Sequence, residues 1–145
     1  MSVQIEAAEP APSAGLIEFA ERSLRKKLPD TYRGFLEMYN GATPEDNVFE
    51  VSGPHDCSGV LKFLSLAEMI ETYDRAKIFR EFPSYAPIGY DDFGNFICVS
   101  LEGADAGGIY FLDHERDEAT GALSRLAASP QAFLDILEPF DVRSA

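Results

Sequence analysis

The sequence predicts a single α+β domain in which about four helices pack against a mainly antiparallel sheet. Three observations lead to this prediction. The chain has 145 residues, the usual size of one domain. Hydrophobic residues make up 46% of it, enough to form a core. The apolar patterns run in the order helix, helix, strands, helix, strands, helix, without the regular alternation that produces a parallel sheet.

Two helices are predicted near the start of the chain. Ser13 can cap the first, whose apolar residues recur at helical spacing as far as Leu28. Asp30 can cap the second, and the pair Asn40-Gly41 should end it because both residues tolerate a left-handed conformation. Small residues and prolines precede Ser13, so we expect residues 1–12 to form a flexible lead-in and residues 13–145 the domain.

The middle of the chain predicts two short strands and a third helix. The strands cover residues 48–51 and 60–64, with Gly and Pro residues marking the connection between them. Ser65 can cap a third helix over 66–82, whose spacing is imperfect between residues 73 and 78 and leaves both a continuous and a broken helix open.

The second half predicts an antiparallel meander followed by a final helix. Ser129-Pro130 is a well-matched helix start because Ser caps and Pro fits the first turn. The predicted strands are residues 85–90, 96–101, 109–112 and 123–127.

The chain is strongly acidic, with 12 Lys and Arg against 25 Asp and Glu and a formal net charge of −13. This balance argues against a nucleic-acid binder, because contact with phosphates needs clustered cations. A negative field of this size suits a basic protein partner, whose association it would accelerate. Solubility alone is the alternative explanation, and the composition leaves both open.

Nothing in the sequence predicts export or insertion into a membrane. The N-terminal residues lack the basic start and apolar run of a signal peptide, and no segment has the ~20 apolar residues that span a bilayer. Cys57 and Cys98 lack CxxC spacing and are too few for a disulfide scaffold, so we expect both thiols to be reduced. These observations predict a cytoplasmic protein that does not bind membranes.

Few residues suggest catalysis or a cofactor. Asp91, Asp92 and Asn95 carry oxygen-bearing side chains, but they lack the spacing of a calcium loop, and Asp and Asn beside Gly are what a tight turn selects. The two histidines and Cys98 lie too far apart in sequence for the close ligand pairs of structural zinc sites. We therefore expect a turn at residues 91–95, no metal, no cofactor and no catalytic residue.

An ordered set of short motifs extends from about Leu16 to Leu137. They are the pattern LP..Y..FL...NG from Leu28 to Gly41, then Phe63-Leu64-Ser65-Leu66, Pro87-Ile88-Gly89-Tyr90-Asp91, Gly94-Asn95, the strands around Ile97 and Tyr110, and Phe133-Leu134. Together they resemble the SUKH superfamily, which is named after yeast cell-wall regulators and includes many bacterial immunity proteins. Two departures are Ala42, where the family often has a second glycine, and the absence of Trp.

The resemblance implies a domain without enzymatic activity that binds and neutralises a cognate toxin, frequently a nuclease. Acidic residues at strand ends and loops beside one hairpin would then be presented together to the cationic cleft of that toxin. Tyr90 is expected to be partly exposed there, since tyrosine combines apolar area with a polar tip. The predicted partner-binding residues are Tyr90, Asp91, Asp92, Glu102, Asp105, Asp113, Glu115, Asp117 and Glu118.

Three alternatives stay open. One is that the acidic loops serve only as a solvated surface that prevents aggregation. Another is that the domain is a regulatory interaction module with several partners of modest affinity. A metal-dependent hydrolase using Asp91, Asp92 and His114 is the third.

Overall fold

The computed structural model describes residues 5–6, 8–53, 56–116 and 121–139, and confirms an α+β domain. In chain order its elements are β1 (Ile5–Glu6), α1 (Ala14–Leu24), α2 (Asp30–Tyr39), β2 (Thr43–Pro44), β3 (Val48–Gly53), β4 (Asp56–Gly59), β5 (Lys62–Phe63), α3 (Leu66–Arg75), α4 (Ile78–Glu81), β6 (Tyr85–Tyr90), β7 (Phe96–Ser100), β8 (Ile109–Leu112), β9 (Leu123–Ala127) and α5 (Pro130–Ile136). The largest sheet has five antiparallel strands in the order β5-β6-β7-β8-β9.

The first helix begins where the sequence predicts but ends earlier. The Ser13 hydroxyl accepts a hydrogen bond from the Leu16 N–H at 3.1 Å, which caps α1. The helix ends at Leu24 because Arg25 takes a left-handed conformation, with φ of 59°. Leu28 therefore reaches the core from the segment between α1 and α2, and its N–H donates to the Glu21 carboxylate at 2.8 Å.

The N-terminal segment is attached to the domain earlier than Ser13. Strand β1 pairs with β2, and the Glu9 N–H donates to the Asn40 carbonyl at 2.7 Å. The Asn40 side chain is buried and donates to the Pro10 carbonyl at 2.8 Å, while its oxygen accepts the Leu66 N–H at 2.8 Å. Asn40 thus joins the lead-in to the end of α2 and the start of α3, so regular structure starts before the predicted position.

The second strand of the middle region does not lie at residues 60–64 as predicted. That strand, β4, ends at Gly59. It begins earlier, at Asp56, and forms a separate hairpin with β3, in which Phe49 lies opposite Ser58. Val60 is buried beyond its end, and only Lys62–Phe63 joins the main sheet as the edge strand β5. Val60, Phe63 and Leu64 are buried although most of this stretch is not strand, whereas Leu61 is exposed.

The third helix has the predicted cap, and it is broken where the helical spacing of the sequence is imperfect. Ser65 and Glu68 form a capping box, in which each side chain accepts a hydrogen bond from the other residue's N–H. The helix ends before Ala76, which has an extended backbone, and the four-residue α4 follows. Ser129 caps α5 by accepting the Ala132 N–H at 3.1 Å, with Pro130 as its first residue.

The main sheet is buried on both faces. Neighbouring residues of a strand point to opposite sides of the sheet, and on β7 both sets contact a core cluster. On β7, Ile97 and Val99 join the larger core cluster, which also contains residues of α1, α2, α3 and α5. Cys98 points the other way, into a smaller cluster with Phe79 and Phe82. Burial raises the pKa of the Cys98 thiol well above its usual value, so it behaves as a small apolar side chain.

Candidate functional site

The meander separates the predicted acidic residues into two groups. In the β7–β8 pair, Phe96 lies opposite Leu112 and Val99 lies opposite Ile109. Residues 91–95 and 113–116 therefore lie at one end of the sheet, which we call the turn end. Residues 101–108 lie at the other end, which we call the loop end. The expectation that all these carboxylates are presented together is not met, because strands β7 and β8 lie between the two groups.

At the loop end, the two predicted carboxylates are engaged by cations of the chain itself. Glu102 pairs with Lys26 at 3.4 Å and accepts a hydrogen bond from the Ser84 hydroxyl. Asp105 receives two hydrogen bonds from Arg125, at 2.9 and 3.1 Å, and a third from the Tyr110 hydroxyl. These contacts fasten the loop to its neighbours and leave little unpaired charge for a partner.

The same contacts lower the pKa of both carboxyl groups. The hydrogen bond from Arg125, followed by that from Tyr110, lowers the pKa of Asp105 to about 2. The Ser84 hydroxyl and then Lys26 lower the pKa of Glu102. Both acids are therefore charged at neutral pH, and that charge is matched locally by a cation.

At the turn end, Asp91 is buried and holds the 91–95 turn together. One carboxylate oxygen accepts the N–H groups of Phe93 and Asn95 at 2.9 and 2.8 Å. The other accepts the Ser58 hydroxyl at 2.8 Å and the Asn95 amide at 3.0 Å. The predicted turn is present, but Asp91 has a structural role in it, since its side chain is 4% exposed and cannot form part of a contact surface.

The Asp91 network continues into the segment after β8. Asn95 accepts from the His114 N–H at 3.1 Å, and its side-chain oxygen lies 2.7 Å from His114 Nδ1. Gly94 completes the turn with a φ of +84°, a left-handed conformation that favours glycine. One set of hydrogen bonds thus connects the β3–β4 hairpin, the 91–95 turn and the segment after β8.

The tip of this turn is the most exposed apolar feature among the described residues. Phe93 is 73% exposed, a larger fraction than any other large hydrophobic side chain described. Asp92, beside it, is exposed and makes no ion pair with a described residue. Tyr90, the aromatic residue that the sequence predicts to be partly exposed, is half-buried and packs against the core. A large apolar residue inside an Asp/Gly/Asn turn was the signal that could have identified Phe93.

Two depressions border the turn. One, of about 260 Å³, lies between the β3–β4 hairpin and the turn end, and its walls include Val51, Asp56, Phe93 and Phe111. We call it the hairpin groove. The other, of about 510 Å³, lies between α3 and the sheet; its lining residues include Leu64, Thr72, Tyr90 and Phe96. The turn is therefore a raised feature with a partly apolar depression on each side.

Of the other predicted residues at the turn end, Asp113 has partners within the chain and Glu115 has no ion pair with a described residue. Asp113 accepts the Glu115 N–H at 3.0 Å and lies 3.5 Å from the Arg116 guanidinium. Glu115 is exposed and makes no ion pair with a described side chain. Asp117 and Glu118 lie outside the described residues.

The side chains that could bind a metal are dispersed over the described part of the chain. Among residues 5–6, 8–53, 56–116 and 121–139, no three His, Cys, Asp or Glu side chains come together as a metal site. Asp91, a proposed ligand in the hydrolase hypothesis, is occupied by four hydrogen bonds. None of the described helices has the length and hydrophobicity required to cross a bilayer.

Comparison with known proteins identifies a family. The model of the SMI1 / KNR4 family (SUKH-1) matches residues 11–136, which include all the helices described above and the whole five-stranded sheet. A comparison with curated proteins finds no match. The match covers most of the chain and agrees with the motif order of the sequence, so this chain belongs to the SMI1 / KNR4 family (SUKH-1).

Proposed function

We propose that this chain is an immunity-type protein that binds a cognate toxin and neutralises it without catalysis. The toxin is a nuclease in this proposal, and the chain covers its basic active-site cleft. Family membership carries the proposal, because the SUKH resemblance implies a non-catalytic domain that binds a protein partner.

The electrostatics of the chain support a basic partner. With a net charge of −13, the protein attracts a cationic surface over a distance and accelerates the encounter. Carboxylates already paired with a cation contribute less to this attraction than unpaired ones. Asp92 and Glu115 are exposed without a described ion-pair partner, whereas Glu102 and Asp105 are paired. The turn end is therefore the better candidate for the contact.

The first test is capture of partners from the native host with the purified chain as bait, at low and at high salt, followed by mass spectrometry. The expected result is one basic protein with a toxin domain, whose retention decreases at high salt. Its purified toxin domain should cleave nucleic acid, and an equimolar amount of the chain should stop that cleavage. Several unrelated partners would favour a regulatory interaction module instead. Capture of no partner would contradict the proposal.

A matched pair of charge reversals then locates the contact. Glu115→Lys and Glu37→Lys change the net charge equally, and both positions are exposed, but Glu37 lies on α2. We expect Glu115→Lys to slow association with the toxin domain by several-fold more than Glu37→Lys in stopped-flow measurements. Equal effects would mean that only the overall charge matters and that the contact lies elsewhere.

A further inference from the structure

Phe93 presents a phenyl ring to solvent at the tip of the 91–95 turn. Isolated exposed hydrophobic residues are common on protein surfaces and need no explanation by themselves. Met38 and Phe19, which are 67% and 51% exposed on α2 and α1, are examples in this chain. Phe93 differs from these two in its support and in its surroundings.

The support of Phe93 is rigid. Its own N–H is bonded to the buried Asp91 carboxylate, and three further donors hold that carboxylate in place. An aromatic side chain has only two rotatable bonds and a large contact area, so fixing its backbone leaves little conformational entropy to lose on binding. Aromatic residues, Phe among them, are enriched at the cores of protein interfaces, and pre-organisation reduces the entropy lost on binding.

The surroundings of Phe93 define the chemistry of the partner. The depressions on either side of the turn are only partly apolar. Phe96 lines the cavity beside α3, and Phe111 lies in the wall of the hairpin groove, which is otherwise mostly polar. The charged residues near the turn are mostly acidic: Asp92 is next to Phe93 in the chain, and Asp56 and Asp113 line the hairpin groove together with Arg116. Glu115 follows β8 at the same end of the sheet. A raised apolar residue within a negative rim is complementary to an apolar pocket bordered by Lys or Arg.

We propose that Phe93 is the central anchor of the partner interface and inserts into an apolar pocket on a basic protein surface. This inference rests on the proposed function, because it specifies how the toxin is held. The carboxylates around Phe93 steer the encounter and set its salt dependence, while the buried ring sets the dissociation rate.

The test compares Phe93→Ala with Met38→Ala, using the purified toxin domain identified by the capture experiment. Binding is measured by surface plasmon resonance, and folding is checked by thermal unfolding. We expect Phe93→Ala to weaken binding by about 30-fold, mainly through faster dissociation, as for a residue that dominates an interface. Met38→Ala should leave affinity within about twofold, and both variants should unfold at the wild-type temperature because both side chains are exposed.

A second variant separates the effect of the Phe93 ring from that of the neighbouring carboxylates. Asp92→Lys should slow association and flatten the salt dependence while leaving the dissociation rate nearly unchanged. If the wild-type chain binds the toxin domain and Phe93→Ala binds equally well, the anchor is refuted and the proposed function stands. If the wild-type chain captures no toxin, both proposals fail.

Discussion

Replacing Asp91 with Ala is expected to destabilise the domain and to loosen its candidate interface. The change removes a buried acceptor of four hydrogen bonds and leaves the donors of Ser58, Phe93 and Asn95 without it. Hydrogen bonds to a charged group contribute about 1.5–3 kcal/mol each, but these share one carboxylate and are not additive. Water can also reach part of the exposed turn. We therefore expect the free energy of unfolding to fall by about 3 kcal/mol.

Urea unfolding followed by circular dichroism measures this loss, with Asp91→Asn and Asp92→Ala as comparisons. The amide oxygen introduced by Asp91→Asn can still accept the two backbone N–H groups, so this change should cost about 1 kcal/mol. Asp92 is exposed and makes no described ion pair, so its replacement should change stability by less than about 0.5 kcal/mol. An Asp91→Ala protein within about 0.5 kcal/mol of the wild type would refute the structural role of this carboxylate.

Two further predictions concern other parts of the fold. Asn40→Ala should lower the free energy of unfolding by about 2–3 kcal/mol, since it breaks one buried and one partly buried hydrogen bond and leaves the first N–H of α3 unpaired. Urea titration would measure this, and an unchanged midpoint would contradict it. Asp105 has a folded pKa of about 2, below the unfolded value of about 4, so its stabilisation is complete above pH ~4 and is lost as the pH falls through ~2. The stability difference between wild type and Asp105→Asn should therefore be larger at pH 6 than at pH 2.5, whereas a constant difference would contradict the assigned cause.

Local signals predicted the order of elements well. The hydroxyls of Ser13, Ser65 and Ser129 cap the three helices to which the sequence assigned them. The meander was predictable because its strands are apolar on both faces and are separated by turn residues. Helix ends were less predictable: α1 stops at Leu24 because Arg25 adopts a left-handed conformation that its residue type does not signal.

Contacts between distant segments account for what the sequence did not predict. The bonds of Asn40 to Pro10 and Leu66 cross 30 and 26 positions, so no local pattern reveals them. The same holds for Asp91, whose bond to Ser58 crosses 33 positions and turns a predicted contact residue into a buried one. Glu102 and Asp92 lie at opposite ends of the sheet because of the antiparallel register, and the amino-acid composition does not predict that register.

The length of the central strands has an electrostatic consequence. Strand β7 has five residues, so at about 3.3 Å per residue the loop end and the turn end are about 16 Å apart. At physiological ionic strength the Debye length is about 8 Å, half that separation. Charges at the two ends are therefore screened from each other, and each end responds to its own ions. A change of charge at the loop end therefore has only a weak effect on a protein bound at the turn end.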